Sequence, residues 1–207
     1  MDTSSKPTTL RPTSSMAIKY LVIGAIIASA ALCGCGRGTV SSQAELFAWM
    51  QDHGLVDTLV LGGLHLECAV RTKDITQAES AADLSTLPFQ VTLTITQHHP
   101  KAGGDVIFNG VESVDDFSVR IRDLALRFHE QVSLTQGSRQ LRCAGAEMDY
   151  DIGLTRRKRI LLTFPLTMKE AASGDAAIHI ADMIIQPLAA DFELSTSNIS
   201  SLPTVQP

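Results

Sequence analysis

Six histidines, four cysteines and one run of four cations are the residues of this 207-residue chain whose types and spacing could do chemistry. His65-Leu66-Glu67-Cys68 brings three metal-ligand types close together. On a strand, however, His65 and Cys68 point to opposite faces. No second Cys-x-x-Cys or His-x-x-x-His completes a ligand set. His98-His99 adjoins Pro100 in a turn, where neighbouring side chains diverge. Asp149-Tyr150-Asp151 and Asp115-Asp116 lack the Asp-x-Asp-x-Asp-Gly spacing of a calcium loop, so both are expected at turns. No metal and no cofactor is expected. Hydrolytic chemistry has no Gly-x-Ser-x-Gly elbow here, and Gly137-Ser138 sits inside a turn signal. A carboxylate pair for glycoside hydrolysis depends on a separation in space that spacing in sequence does not give. Arg156-Arg157-Lys158-Arg159 is the strongest local charge feature. It reads as a solvated hairpin turn that protects a strand edge. The alternative is a site for anionic headgroups or polymers.

The segment ahead of these residues carries a different kind of chemistry. Lys19 precedes a short apolar core, Tyr20 to Leu32, and the run ends Leu32-Cys33-Gly34-Cys35. A positive start, an apolar core of about 7–15 residues and small residues at the end make a secretory signal. A membrane span needs about 20 apolar residues. The ending resembles the lipobox of bacterial lipoproteins: a branched apolar residue, a variable residue, Gly or Ala, then Cys. The resemblance implies a diacylated Cys35 at the start of the mature chain, with residues 1–34 removed. A plain signal cut after Ala28-Ser29-Ala30 would instead leave Cys33 and Cys35 as thiols. Residues Met1–Ser15 are rich in Ser, Thr and Pro, and Met16 would give a compact signal. Gly36 after the lipidated Cys departs from the Asp that, in that family, favours retention in the inner membrane. The resemblance therefore implies the outer membrane, facing the periplasm, in a cell that has one.

Removing residues 1–34 takes away Lys6, Arg11, Lys19 and Asp2, so the net charge moves from −5 to −7. Such a domain lacks the basic footprint that nucleic acid requires. The lipid, not general electrostatics, would hold it to a membrane, and two acyl chains hold stably where one is marginal. After export two cysteines remain, Cys68 and Cys143. Each sits in an alternating stretch with its sulfur on the apolar side, and an oxidising compartment makes them a disulfide candidate. A bridge would close a loop of about 75 residues, worth roughly 4 kcal/mol in the chain-entropy model. The alternative is two buried thiols packed as small hydrophobes.

The elements that must position these residues are mostly strands. Phe89, Val91, Leu93 and Ile95 alternate with Gln90 and three threonines, the signature of a half-buried antiparallel strand. Residues 56–70 read as one strand or two, with Gly62-Gly63 as bend or bulge. Residues 105–109 and 159–168 read as strands, the latter pushed to an edge at its end by Pro165. In 117–128 two apolar phases meet near Arg122-Asp123, which reads as strands with a bulge. A short helix over 123–130 is the alternative. Residues 176–185 and 189–194 complete the set. One leading helix is signalled by Ser41 or Ser42 as cap, Glu45 at capping-box spacing and Gly54 as stop. It carries Trp49, which either packs on the core or lies at a membrane interface.

The expected fold is mainly β, an antiparallel sandwich or curved sheet with one N-terminal helix, α+β being the alternative. The expected organisation is a signal over 1–34, a lipidated tether over 35–42, one β-rich domain over 43–194 and a frayed tail over 195–207. The expected function is that of a non-enzymatic binding or assembly component of the cell envelope. A carrier of a lipid or other apolar ligand is the second reading, and a hydrolase of envelope material the third. A carrier needs a cavity lined by Leu, Ile and Phe; an assembly component needs a filled core and an exposed patch.

Overall fold

Period-two alternation organises most of the chain. The computed structural model describes residues 38–72, 83–97, 106–108, 110–148 and 157–206. In chain order these form β1 (Thr39–Val40), α1 (Gln43–Asp52), β2 (Val56–Leu61), β3 (Leu64–Val70), β4 (Pro88–Gln97) and α2 (Val114–Leu126). They continue with β5 (Val132–Gln136), β6 (Arg139–Arg142), β7 (Gly145–Met148), β8 (Arg157–Thr167) and the single-turn α3 (Met168–Ala171). β9 (Ala176–Ile180), β10 (Ala190–Leu194) and β11 (Thr204–Val205) complete the series. One antiparallel sheet has the order β2-β3-β4-β8-β7 and a second the order β10-β9-β5-β6. The fold is mainly β, as expected, and compatible with a sandwich.

The first sheet is built around β4 and β8. Phe89 pairs with Phe164, Val91 with Leu162 and Leu93 with Ile160. All six are at most 1 % exposed, and the two phenyl rings lie 6.0 Å apart. The outer face of the same strands is polar: Arg71 Nη1 donates to Gln90 Oε1, and Gln90 Nε2 donates to Thr163 Oγ1, each at 3.0 Å. β8 pairs with β7 only from Ile160 to Thr163, so Pro165 lies past the end of that ladder. On its other side the register with β4 slips between Pro88 and Phe89. A residue without an N–H is tolerated there for that reason.

The inner faces of both sheets feed one core cluster, with Leu134, Ile178, Ile180 and Phe192 from the second sheet. The sheets meet at two edges. After β6 the chain turns a corner: Cys143 N–H donates to Val132 O of the second sheet (3.0 Å), and Ala144 N–H to Thr163 O of the first (2.8 Å). At the far edge Glu193 N–H donates to Asp57 Oδ2 (2.8 Å) and Ser195 N–H to Gly54 O (2.7 Å). The Gly62-Gly63 bend is a tight hairpin turn between β2 and β3, with φ +56° and +82°. Two positive φ values in succession suit glycine and match the twist of the strands.

α1 begins where Ser42 and Glu45 predict it. The reciprocal arm of the cap is displaced by one residue: Ser42 Oγ accepts from Glu45 N–H, while the Glu45 carboxylate accepts from Ser41 N–H and Ser41 Oγ. Those bonds hold the Glu45 carboxyl below its ordinary range. Gly54, at φ +68°, ends the helix where it was expected to end. A Cβ there would lie 2.7 Å from Ser195 Oγ, so the position is closed to side chains for two reasons.

Three expectations are corrected. Residues 117–128 are not strands: α2 takes them as far as Leu126, from a Ser113 cap that accepts from Asp116 N–H at 3.1 Å, and Phe128 opens a 3₁₀ turn. Phe117, Ile121, Leu124 and Phe128 are spaced four, three and four apart, which is one helical face. Val119 and Leu126, which a strand would have turned inward, are 44 % and 64 % exposed. Asp115 and Asp116 occupy the first turn of this helix, not a loop. Residues 106–108 form a short 3₁₀ turn instead of a strand. The third correction concerns both ends of the domain. Residues 196–201 form a 3₁₀ segment, Ile199 and Leu202 are in the core, and β11 pairs in parallel with β1. The compact unit accordingly covers 37–207. The predicted tail and the end of the predicted tether hold each other.

Ile199→Ala is expected to cost about 2–5 kcal/mol in urea unfolding, the range for opening a core site; a frayed tail would show no change. Gly54→Ala is expected to cost at least about 1–2 kcal/mol from the left-handed backbone alone.

Candidate functional site

The lipobox-like segment with Cys35, the pair His98-His99, the Asp149-Tyr150-Asp151 run and Arg156 lie outside the described residues. The other candidates are spread apart. The cation run is not a turn: Arg157, Lys158 and Arg159 open β8, and alternation sends them to different faces. Lys158 points inward, 2 % exposed, opposite Ile95. Arg157 and Arg159 point outward, and Arg157 Nη2 lies 3.5 Å from Glu67 Oε1 across the sheet. The run therefore does not present a continuous basic patch.

Cys68 and Cys143 are both buried, as the alternation implied, and in this structure both are free thiols with no bridge between them. Cys68 sits in β3, and Cys143 Sγ donates to Gly145 O (3.1 Å) and Thr163 O (3.5 Å) at the corner beyond β8. β4 and β8 lie between them. With two strands between them there are three strand spacings, about 14 Å, past the roughly 7 Å that Cα atoms of a disulfide allow. Burial raises both thiols above their ordinary value, with Asp57 and Glu67 adding to it at Cys68 and the two carbonyl contacts opposing it at Cys143. Neither has the electropositive setting of a reactive thiolate. His65 sits on the face of β3 opposite Cys68, and among the described residues no three His, Cys, Asp or Glu side chains converge on a metal position. Trp49 stacks on His53 with centroids 3.8 Å apart and packs on the edge of the core.

Several arrangements were not legible in the spacing. Ser133, His179 and Asp191 fall in one cross-strand row of β5, β9 and β10. Asp191 Oδ1 is 2.6 Å from His179 Nδ1. The row has the residue order of a nucleophilic triad. It lies on an open sheet face, however, and the ladder occupies β5 on both sides, so its amides do not stand ready for an oxyanion. The pair is a surface contact. Beside it, Thr135, Gly137, Ala177 and Glu193 help line an open groove of about 310 Å³.

A polar groove of about 300 Å³ lies among Asp123, Arg127, Gln131, Asp182 and Ile184. Ile184 has φ +61°, a left-handed conformation unusual for a β-branched residue. Asp182 Oδ1 accepts from its N–H at 2.8 Å and helps hold it there. Among the described residues Asp123 Oδ1 is buried without a hydrogen-bond partner, and Arg122 Nε lies 3.7 Å from it.

The third groove, about 350 Å³, opens at the start of α2. Its walls are Phe108, Val111, Val114 and Phe117, with Glu112 and Ser113 at the rim. The two rings stack at 4.4 Å and nearly parallel, and Arg120 Nη1 donates to Ile107 O (2.9 Å), tying the 3₁₀ turn to the helix. Phe108 is 49 % and Val114 80 % exposed. An apolar surface held rigidly in water is suited to an apolar partner. The signal in the sequence was the spacing of Phe117 with Val114, which the strand reading of this segment concealed.

No protein-family model matches the chain, and no curated protein matches it. A crystal structure of a protein of unknown function from Burkholderia pseudomallei K96243 is similar at a TM-score of 0.34 and 13 % identity, over 77 % of this chain and 86 % of that one.

Because both thiols are raised, the folded protein keeps protons that the unfolded chain releases above about pH 9. Their contribution to stability is complete below that pH and falls as pH rises. Ellman's reagent at pH 8 is expected to find no reactive thiol in folded residues 36–207. It should find two after unfolding in urea without reductant; none after unfolding would mean a bridge.

Proposed function

We propose that the chain is a lipid-anchored protein of the cell envelope that acts as a non-enzymatic binding or assembly component, docking an apolar segment of a protein partner. The lipobox-like Leu32-Cys33-Gly34-Cys35 and the acidic mature domain support the anchoring part of this reading. The observation that carries the docking part is the groove of Phe108, Val111, Val114 and Phe117. It is an apolar surface that the fold itself braces through the Phe108–Phe117 stack and the Arg120 bond. The core residues of both sheets pack on one another in one cluster, and the three grooves described above, all among the described residues, are open to solvent. That arrangement suits a partner's side chain better than a whole lipid. The binding energy would be concentrated in one or two buried anchors.

A photo-crosslinking residue at Val114 in the native host is expected to give one adduct of defined mass, which the same residue at exposed Gln140 does not give. Native mass spectrometry of residues 36–207 after gentle extraction is expected to show the bare monomer; a mass excess lost on denaturation would favour a carrier. Val114→Asp, at a solvent-facing position of the first helical turn, is expected to abolish the adduct of a photo-crosslinking residue placed at Val111, with unfolding unchanged within about 0.5 kcal/mol.

A further inference from the structure

β1 begins four residues after Cys35 in the sequence. Thr39 is already paired with Thr204, and Thr204 N–H donates to Gly38 O at 3.0 Å. Four residues of extended chain reach at most about 14 Å. If Cys35 carries the lipid, the β1–β11 pair cannot stand further than that from the bilayer. The sequence suggests a tether free as far as Ser42, and the parallel pairing with the helix cap takes half of it.

The surface at this corner suits that position. Residues 38–44 and 202–206 contain no charged side chain, although the mature chain carries a net −7. Glu45, the nearest acid, is engaged by Ser41 N–H and Ser41 Oγ. Arg37, within the tether, is the charge closest to the anchor in sequence, and its sign attracts phosphate headgroups.

Through the 3₁₀ segment the same corner is linked to one pole of the first sheet. β11 follows the 3₁₀ segment 196–201, whose Thr196 Oγ1 donates to Gly174 O just after α3. α3 in turn follows the last residue of β8. Arg157, at the other end of that strand, is ten residue rises away, about 33 Å. Val60, His65 and Thr96 lie in the row of Arg157. Gln186, from the loop that carries Ile184, packs on Gly62 of the β2–β3 turn at that same end.

We propose that the β1–β11 clasp and the start of α1 form the membrane-facing surface of the domain, with a lipid bilayer as its occupant. The row of Arg157, the β2–β3 turn and the Ile184 loop then face the aqueous compartment. Arg157 and Arg159 thus have no part in holding the domain to its own membrane. This inference rests on the lipoprotein reading.

Trp49, the single tryptophan, is the reporter, since its stacking partner His53 accepts from Asn198 at the anchored pole. The full chain is purified from membranes and placed in phosphatidylethanolamine–phosphatidylglycerol vesicles bearing dansyl headgroups. Loss of fatty-acid label in Cys35→Ala is checked first; label unaffected by that change, or absent from the parent chain, overturns the lipoprotein reading itself. With lipid confirmed, energy transfer from Trp49 is expected to fall at least about two-fold when a Gly-Ser insert of about 16 residues follows Gly36, since that adds a reach of roughly 20–24 Å. It is also expected to be at least about two-fold weaker from Val60→Trp in a Trp49→Phe background, since Val60 lies in the row of Arg157, four strand residues (about 13 Å) past Val56, where β2 starts after α1. Transfer unchanged by the insert, or equal from both reporters, overturns the membrane-facing clasp while leaving the lipid in place.

Discussion

The pairing of β4 with β8 is the constraint on which the rest of the structure depends. Phe89, Val91 and Leu93 meet Phe164, Leu162 and Ile160 one for one. A one-residue slip would turn every one of these side chains into water, so the register is strongly specified. From it follows the fate of the cation run. With Ile160 inward, Lys158 must also point inward, and Arg157 and Arg159 must point out. A charge cluster in sequence is thereby divided between two faces.

The second sheet is joined to the first through one shared side-chain core and, where the ladders end, through hydrogen bonds of the backbone. At the corner after β6, consecutive amides of Cys143 and Ala144 serve different sheets. At the opposite edge Gly54 approaches Ser195 so closely that no Cβ fits between them. Buried amides require partners, and these two corners satisfy them where the ladders end. β4 and β8 lie between Cys68, in β3, and Cys143, at the first of these corners. An even count of cysteines on apolar faces is therefore no guide to a bridge when two strands intervene.

Function, on the proposed reading, uses what the core leaves over. α2 buries Leu124 in the core and turns Val114 and part of the Phe108–Phe117 stack to solvent. The clasp of β1 with β11 ties the two ends of the domain together and shortens the reach of the anchor. Anchoring and docking thus depend on elements outside the two main sheets, while the sheets supply rigidity.

The sequence by itself determined the local periods. β4, β8, the β2–β3 hairpin, the start of α1 and its stop at Gly54 were all legible, because each depends on contacts within a few residues: alternation, a cap, a positive φ. Where two periods fit the same residues, as in 117–128, only packing decided, and it put Leu124 and Phe128 in the core with Phe117 and Ile121 against it. The polar ends were misread for the same reason. Nothing local in Thr39–Val40 or Thr204–Val205 announces a partner some 160 residues away. Tertiary structure alone decided that pairing, the inward turn of Lys158, the separation of the two thiols and the apolar groove, because each depends on which distant backbone lies alongside.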